Sequence, residues 1–135
     1  MAIILDADVI ISGERGGFDL GRWLEANAGE AFEIAAVTVA ELWHGAERAT
    51  GSVRSRRERY LRAAVSALPI IPYTEQTAYE HARLWAALED AGKMIGYYDL
   101  IVAATAIERS GAVATFNRKH FQAINGLRVI DPSAA

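Results

Sequence analysis

Short apolar runs and longer stretches with helical spacing alternate along the chain. Apolar runs bounded by turn residues predict strands at residues 3–5, 32–37, 68–73, 112–115 and 127–130. Apolar residues that recur once per helical turn predict helices over residues 18–28, 38–49, 53–68, 74–91 and 99–110. Strands that alternate with helices are typical of a mostly parallel sheet covered on both faces. The pattern therefore predicts an α/β fold.

Two boundaries carry more specific signals. The run at 68–73 contains Pro69 and Pro72, which predict a strand at or near an edge of the sheet because proline cannot donate a ladder hydrogen bond. Thr74 is the expected N-cap of the following helix, and Gly92 is its expected end. The chain shows no internal repeat, low-complexity tract or interdomain linker, so we expect a single domain over residues 1–135.

Asp6 interrupts a solidly apolar run, with Ile3–Leu5 before it and Val9–Ile11 after it. The run predicts a buried parallel strand that leads directly into a turn or helix. Burying an unpaired carboxylate costs several kcal/mol, and Asp6 is not in an evident capping position. Asp8 adds a second carboxylate. Because ligands of open α/β sheets bind at the carboxyl ends of strands, these acids predict half of a metal or phosphate site.

Glu41 and Asp99 are two further acids beside apolar elements, and each has a structural explanation. Thr38 and Glu41 have the spacing of a capping box, and Asp99 stands at the expected N-cap of the 99–110 helix. Alternatively, Asp6, Glu41 and Asp99 lie together at one edge of the sheet. Clustered carboxylates repel one another unless a cation neutralises them, and Mg²⁺ and Mn²⁺ prefer oxygen ligands. A metal site is the functional interpretation of this set.

Composition narrows the class of protein. The 135 residues are 52% hydrophobic and include no cysteine, which excludes disulfides, thiolate metal sites and cysteine nucleophiles. No stretch approaches the length of a membrane span, and the apolar start does not fit a signal peptide, so we expect a cytoplasmic protein with no membrane partner.

The histidines show no metal-ligand spacing. Trp85 is expected in the core, and Tyr97 and Tyr98 are expected in a loop.

The net charge of −3 argues against nucleic-acid binding through overall charge. Two local basic patches remain. One is a stretch of arginines from Arg48 to Arg62, which includes Arg54 and Arg57, and the other is the pair Arg118 and Lys119. Charge alone leaves two interpretations open, because such patches either hold a phosphate backbone or form a solvated helix face.

Four segments resemble the PIN-domain family, specifically the small VapC-type toxin ribonucleases. They are Ile4–Ile10, Thr38–Leu42, Ile95–Ala106 and Thr115–Phe121, the last followed by Gly126 and Leu127. Each segment alone is a weak signal, whereas the four in order and at matching spacing cover essentially the whole chain. The resemblance implies a three-layer α/β/α domain with a mostly parallel central sheet.

The resemblance also implies an activity and a site. The activity is metal-dependent endonucleolytic cleavage of RNA, in which metal-activated water attacks a phosphodiester. The family's acidic site maps onto Asp6, Glu41 and Asp99, which are expected to hold Mg²⁺ or Mn²⁺. The position often filled by a further acid falls at or near Asn117, and His120 stands where another acid is expected.

The resemblance implies partners as well. They are a cognate antitoxin protein that covers the site, a second copy of the chain in a homodimer, and an RNA substrate, with transfer RNA or ribosomal RNA as candidates. The residues expected to contact the RNA backbone are Arg118, Lys119, Arg54 and Arg57. Thr115 is expected to orient a carboxylate or water through its hydroxyl.

Two other interpretations stay open. The segment Leu5–Val9 resembles the opening of haloacid-dehalogenase-type phosphatases, in which the first aspartate is a nucleophile, although the late acidic pair of that family has no counterpart here. The second is a PIN-like domain that binds RNA or a protein partner without cutting. It is kept because Asn117 and His120 occupy positions where acids are expected.

Overall fold

The computed structural model describes residues 1–134 of the chain. Its elements are β1 (Ala2–Leu5), α1 (Ala7–Glu14), α2 (Leu20–Ala26), β2 (Ala31–Ala35), α3 (Ala36–Arg48), α4 (Gly51–Ser66), β3 (Ile70–Ile71), α5 (Glu75–Asp90), α6 (Tyr97–Glu108), β4 (Ala112–Ala114) and β5 (Arg128–Ile130). A short 3-10 turn, Arg118–His120, lies between β4 and β5. The predicted strands and helices are confirmed with shifted ends, and α1 is an additional helix. None of the helices in the described part of the chain has the length and hydropathy to cross a bilayer.

All strand pairings within residues 1–134 are parallel, in the order β3-β2-β1-β4-β5. β3 lies at an edge, as Pro69 and Pro72 predict, and α5 after it is capped by Thr74, also as predicted. The chain builds outward from β1 to β3 and then returns to the other side of β1 with β4. The strand order therefore reverses between β1 and β4, and ligands of open α/β sheets bind at such a switch point.

The sheet separates two hydrophobic clusters. Ile3 and Leu5 of β1 pack against α1, α2, α3 and α4, whereas Ile4 between them packs against α5 and α6. This alternation follows from the strand geometry, which turns successive side chains to opposite faces. Helices on both faces of a parallel sheet form three α/β/α layers, which confirms the predicted fold class.

Two helices begin earlier than the sequence suggests. The N-cap of α3 is Ala35, so Thr38 lies inside the helix and the predicted capping box with Glu41 is wrong. The N-cap of α6 is Gly96, so the prediction that Asp99 caps this helix is also wrong. In both cases the residues just before the expected cap already have helical geometry. The structural explanations for Glu41 and Asp99 are thereby removed, and both acids lie in helices without serving as their caps.

Gly111 allows the chain to pass from α6 into β4 close beside β1. A Cβ at this position would overlap the backbone carbonyl of Ala2, which belongs to the sheet. We expect Gly111→Ala to lower the free energy of unfolding by about 2 kcal/mol or more, as measured by urea denaturation. Gly29→Ala is the matched control, because nothing lies within 4 Å of a Cβ there. Equal losses of stability in the two variants would contradict the overlap at Gly111.

Candidate active site

The carboxyl ends of β1 and β4 meet at the switch point of the sheet, and Asp6 and Thr115 directly follow these strands. The backbone N–H of Asp6 donates to the carbonyl of Ala114 at 2.9 Å, which continues the parallel ladder by one residue. The Asp6 residue is 5% exposed and Thr115 is fully buried. The sheet therefore holds a carboxylate and a hydroxyl side by side at a buried point.

Asp6 is the N-cap of α1, so the expectation that it caps no helix is wrong. Its Oδ1 accepts a hydrogen bond from the backbone N–H of Ala7 at 2.9 Å, and its Oδ2 accepts one from Thr115 Oγ1 at 2.9 Å. The cap arises because β1 leads into α1 with a single residue between them. One oxygen is thus fixed by the helix and the other by the end of β4.

Asp8 joins Asp6 at the end of β4. Its Oδ2 accepts from the backbone N–H of Phe116 at 3.0 Å and lies 3.2 Å from Thr115 Oγ1. Thr115 Oγ1 itself accepts from the backbone N–H of Asn117 at 3.0 Å. A threonine hydroxyl has one hydrogen, so the single hydrogen of Thr115 lies between two carboxylates. The predicted orienting role of Thr115 agrees with this geometry, and burial raises the pKa of Asp8.

Glu41 approaches the same point from α3. Its Oε1 is buried and has no hydrogen-bond partner within residues 1–134. Burial, followed by the neighbouring Asp6 and Asp99 carboxylates, raises the pKa of Glu41 to about 7. Burial, followed by Asp8, raises the pKa of Asp6 to about 6, with Asp99 adding to the effect. Such electrostatic effects act between near neighbours, so Asp6, Glu41 and Asp99 lie close enough for their charges to interact.

Asp99 lies in the first turn of α6 and contacts His120. His120 Nδ1 is 2.9 Å from Asp99 Oδ2, so the imidazole lies directly against this carboxylate. Asn117 does not join the acids through its side chain. It is exposed at the start of the 3-10 turn, and its contact with the site is the backbone N–H bonded to Thr115.

Among the described residues, Asp99 is the one acid at the switch point that has a potentially cationic partner, which is His120. Within residues 1–134, neither Asp6, Asp8 nor Glu41 forms an ion pair with lysine or arginine. Glu33, a buried carboxylate elsewhere in the sheet, is by contrast bound by Arg109, whose Nε lies 3.0 Å from Glu33 Oε1. Buried charges are ordinarily paired or coordinate metals, so the cluster of acids has an uncompensated negative charge.

These residues fit a hard divalent cation by donor chemistry. Asp6, Glu41 and Asp99 supply carboxylate oxygens, and Glu41 Oε1 is a buried acceptor without a partner. A cation would also remove the repulsion that raises the pKa values of Asp6 and Glu41. In the part of the chain that the structure describes, no three acidic or histidine side chains are placed closely enough to hold a metal ion as a group. The site therefore fits a metal in the kind of donor and in charge, and its side chains would have to move closer together to bind one.

The basic residues predicted to contact RNA fall into two groups. Arg54 pairs with Glu58 at 2.9 Å and with Glu47 at 3.2 Å. Arg57 donates to Glu14 at 2.9 Å and to the carbonyl of Gly45 at 3.3 Å. Contact of Arg54 and Arg57 with RNA stays a prediction, and it would require these guanidinium groups to exchange protein oxygens for phosphates.

The second group lies beside the acids. Arg118 and Lys119 are exposed in the 3-10 turn that also contains His120, the partner of Asp99. They help to line a cavity of about 530 Å³, whose walls are Phe116, Asn117, Arg118, Lys119, His120 and Gln122. The predicted basic patch at Arg118 and Lys119 is therefore next to the acidic cluster.

A second cavity, of about 470 Å³, includes Glu41 of the acidic cluster and is lined by Ala40, Glu41, His44 and Tyr98. No sequence signal pairs His44 with Tyr98, because they lie on α3 and α6 and only the fold brings them together. Tyr98 is part of α6 and not of a loop.

Trp85 is 41% exposed on α5, so its predicted place in the core is wrong.

Known proteins similar to this chain form one group. Residues 3–127 match the PIN domain model. The chain is 30% identical over 135 residues to ribonuclease VapC1 of Rickettsia felis, covering 99% of this chain and 98% of the relative. It is 31% identical over 98 residues to the tRNA(fMet)-specific endonuclease VapC of Salmonella typhimurium, covering 73% of each chain.

Solved structures lead to the same group. A chain in the crystal structure of DNA-bound VapBC from Salmonella typhimurium has a TM-score of 0.88 and 26% identity, covering 98% of both chains. The family match favours the resemblance to PIN domains over the resemblance to haloacid-dehalogenase-type phosphatases. Together, the acids at the switch point, the sheet order and the match over residues 3–127 show that the chain belongs to the PIN-domain family, within its VapC group.

Proposed function

We propose that this protein is a divalent-metal-dependent endoribonuclease and the toxin of a toxin–antitoxin pair. The observation that carries the proposal is the approach of Asp6, Glu41 and Asp99, from three separate parts of the chain, to within interacting distance, while Asp6 and Glu41 have no lysine or arginine partner within residues 1–134. The names of the VapC relatives, a ribonuclease and a tRNA-specific endonuclease, support RNA as the substrate. Mg²⁺ and Mn²⁺ are the proposed metals, because both accept carboxylate oxygen ligands.

Asp6 and Asp99 are the proposed direct ligands of the metal, and Glu41 binds it directly or through water. A bound divalent cation supplies a Lewis acid that activates water and stabilises charge on the phosphodiester. The protein keeps its ligands in place through neighbouring groups. Ala7 and Thr115 fix the two oxygens of Asp6. His120 contacts Asp99 and would help to hold its carboxylate in place.

The partners follow from the proposed class. A similar solved chain, with a TM-score of 0.75 and 25% identity, comes from VapBC-5 of Mycobacterium tuberculosis, a member of the VapBC family of toxin–antitoxin systems, which supports a cognate antitoxin as the protein partner of this chain. An antitoxin that covers the acids would exclude RNA from them. The homodimer, the cytoplasmic location and the single domain over residues 1–135 remain predictions.

The proposal is tested by incubating purified, antitoxin-free protein with total cellular RNA in Mg²⁺ or Mn²⁺ and, separately, in EDTA. We expect discrete cuts in the presence of metal and none in EDTA. Sequencing of the new RNA ends then identifies the substrate. Intact RNA with folded, metal-supplied protein would contradict the nuclease assignment and favour a PIN-like domain that binds without cutting.

Arg118 and Lys119 are expected to bind RNA phosphates without reading its sequence. Each phosphate contact makes affinity more dependent on salt. The slope of the logarithm of the binding constant against the logarithm of the salt concentration, here called the salt slope, changes by about −0.7 per contact for single strands. We expect the double variant Arg118→Gln/Lys119→Gln to weaken RNA binding and to reduce the salt slope by about 1 to 1.5. The measurement is the dissociation constant at several salt concentrations in EDTA.

Arg54→Gln is the matched control for this prediction. It also removes one arginine charge, but from a group that is already paired with Glu47 and Glu58. We expect the salt slope of this variant to equal that of the unmodified protein. A larger change in Arg54→Gln than in the double variant would assign the RNA contact to α4 instead.

A further inference from the structure

We propose that the cavity lined by Ala40, Glu41, His44 and Tyr98 binds one unpaired nucleobase of the RNA, next to the phosphodiester that is cut. We call it the Tyr98 cavity, and its four lining residues belong to α3 and α6. The inference rests on the proposed ribonuclease function and adds to it a site for base recognition. It predicts that cleavage depends on the base at one position beside the cut.

The Tyr98 cavity has the size and surface that a base requires. Its volume of about 470 Å³ falls within the range of small-molecule sites, about 300–1,000 Å³. Tyr98 is 56% exposed and offers an aromatic ring, while Ala40 adds a small apolar contact. His44 adds a second planar group with nitrogen atoms that donate or accept hydrogen bonds. Aromatic rings of this kind stack on bases.

The packing of the protein does not explain the position of Tyr98. Within residues 1–134 its ring has no aromatic partner and its hydroxyl makes no hydrogen bond. The preceding Tyr97 differs, since its ring lies 6.5 Å from that of Trp85 in an edge-on arrangement. An exposed aromatic side chain without a folding role is a candidate for binding, and this one lies on the wall of a cavity.

The position of the Tyr98 cavity relative to the acids determines which part of the RNA it receives. Glu41 belongs both to the cavity and to the acidic cluster, and Tyr98 directly precedes Asp99. His120 connects Asp99 to the other cavity, which contains Arg118 and Lys119. An RNA strand bound at the acids thus has basic side chains for its phosphates and Tyr98 for a base in the same region of the surface.

The occupant is a base and not the backbone of the RNA. Among the described residues, no lysine or arginine lines the cavity to bind a phosphate, whereas the ring of Tyr98 and the apolar Ala40 suit the flat face of a base. Of the bases, a purine presents the larger surface to Tyr98. We therefore expect a purine at the recognised position.

The test uses a short single-stranded RNA that carries 2-aminopurine, whose fluorescence falls when the base stacks. With the full-length protein in EDTA, we expect binding to quench the fluorescence. Tyr98→Leu should abolish the quenching and weaken binding about 10-fold or more. Tyr98→Phe should retain both, because it keeps the ring. Tyr97→Leu is the matched control, because Tyr97 is 71% exposed and does not line the cavity.

A second readout separates this inference from the proposed function. Cleavage sites of the unmodified protein and of Tyr98→Leu are mapped in Mg²⁺, and we expect the variant to lose the base preference at one position. If the unmodified protein cuts RNA, and Tyr98→Leu leaves both the cleavage map and the quenching unchanged, the base site is wrong while the nuclease stands. If the unmodified protein cuts no RNA but quenching still requires Tyr98, the proposed nuclease function is wrong while the base site stands.

Discussion

Asp6→Asn is expected to lower RNA cleavage by at least about 1,000-fold, which corresponds to roughly 4 kcal/mol of transition-state stabilisation. The substitution removes the charge at the proposed metal ligand and keeps the shape of the side chain. The amide oxygen still accepts from the backbone N–H of Ala7, as Asp6 Oδ1 does now. The amide N–H₂ can donate to Thr115 Oγ1, whose own hydrogen then goes to Asp8. We therefore expect the fold to be retained.

The measurement pairs cleavage of an RNA substrate in Mg²⁺ with the free energy of unfolding in EDTA. Asp6→Asn should unfold at the same or a higher urea concentration, because it removes a buried charge among like charges. Asp19→Asn is the matched control, since Asp19 is also an N-cap aspartate but lies at the start of α2, outside the site. Full activity in well-folded Asp6→Asn would remove Asp6 from the proposed metal site.

The metal-free protein is expected to lose stability as the pH rises from about 4.5 to about 7.5. The folded state holds the pKa of Asp6 at about 6 against an ordinary value of 3.8, and that of Glu41 at about 7 against 4.5. Between those values the folded state binds more protons than the unfolded state, so stability falls with rising pH. The full stability is present below the unfolded pKa values and is lost as the pH passes the folded ones. For Asp6 alone the loss is about 3 kcal/mol.

Urea denaturation in EDTA at several pH values measures this loss. Asp6→Asn serves as the comparison, since it removes one titrating group and should flatten the decrease. Mg²⁺ or Mn²⁺ should restore stability at the higher pH and have little effect at the lower one, because a metal binds the ionised carboxylates. Stability that rises across this range in EDTA would show that the acids are compensated and that their pKa values are not raised.

The fold was predictable to a large extent because its signals are local. The apolar runs define β1 to β5, and helical spacing defines most of the helices. The prolines beside β3 predict an edge strand because proline cannot donate a ladder hydrogen bond, which is a property of the local backbone. The ends of elements were less predictable. Thr38 and Asp99 are good capping residues, but α3 and α6 each begin before them, because the preceding residues already have helical backbone geometry.

The candidate site was predictable in part. Asp6 is evident from the sequence because a charge in an apolar run is costly wherever the run is buried. Glu41 and Asp99 could be proposed, but their approach to Asp6 depends on how α3 and α6 pack on the sheet. The ion pairs of Arg54 with Glu58 and of Arg57 with Glu14 were not predictable, since they depend on side-chain positions in the fold.

The α/β class, the order of the elements and the presence of an acid directly after β1 follow from the amino-acid sequence. These are properties of neighbouring residues, and periodicity and local backbone preferences are enough to specify them. Which side chains meet at the switch point between β1 and β4 depends instead on the three-dimensional fold. It joins Thr115 to Asp6, His120 to Asp99, and Tyr98 to His44. Such contacts join residues far apart in the chain, and their geometry follows from strand order and helix packing, which no single segment encodes.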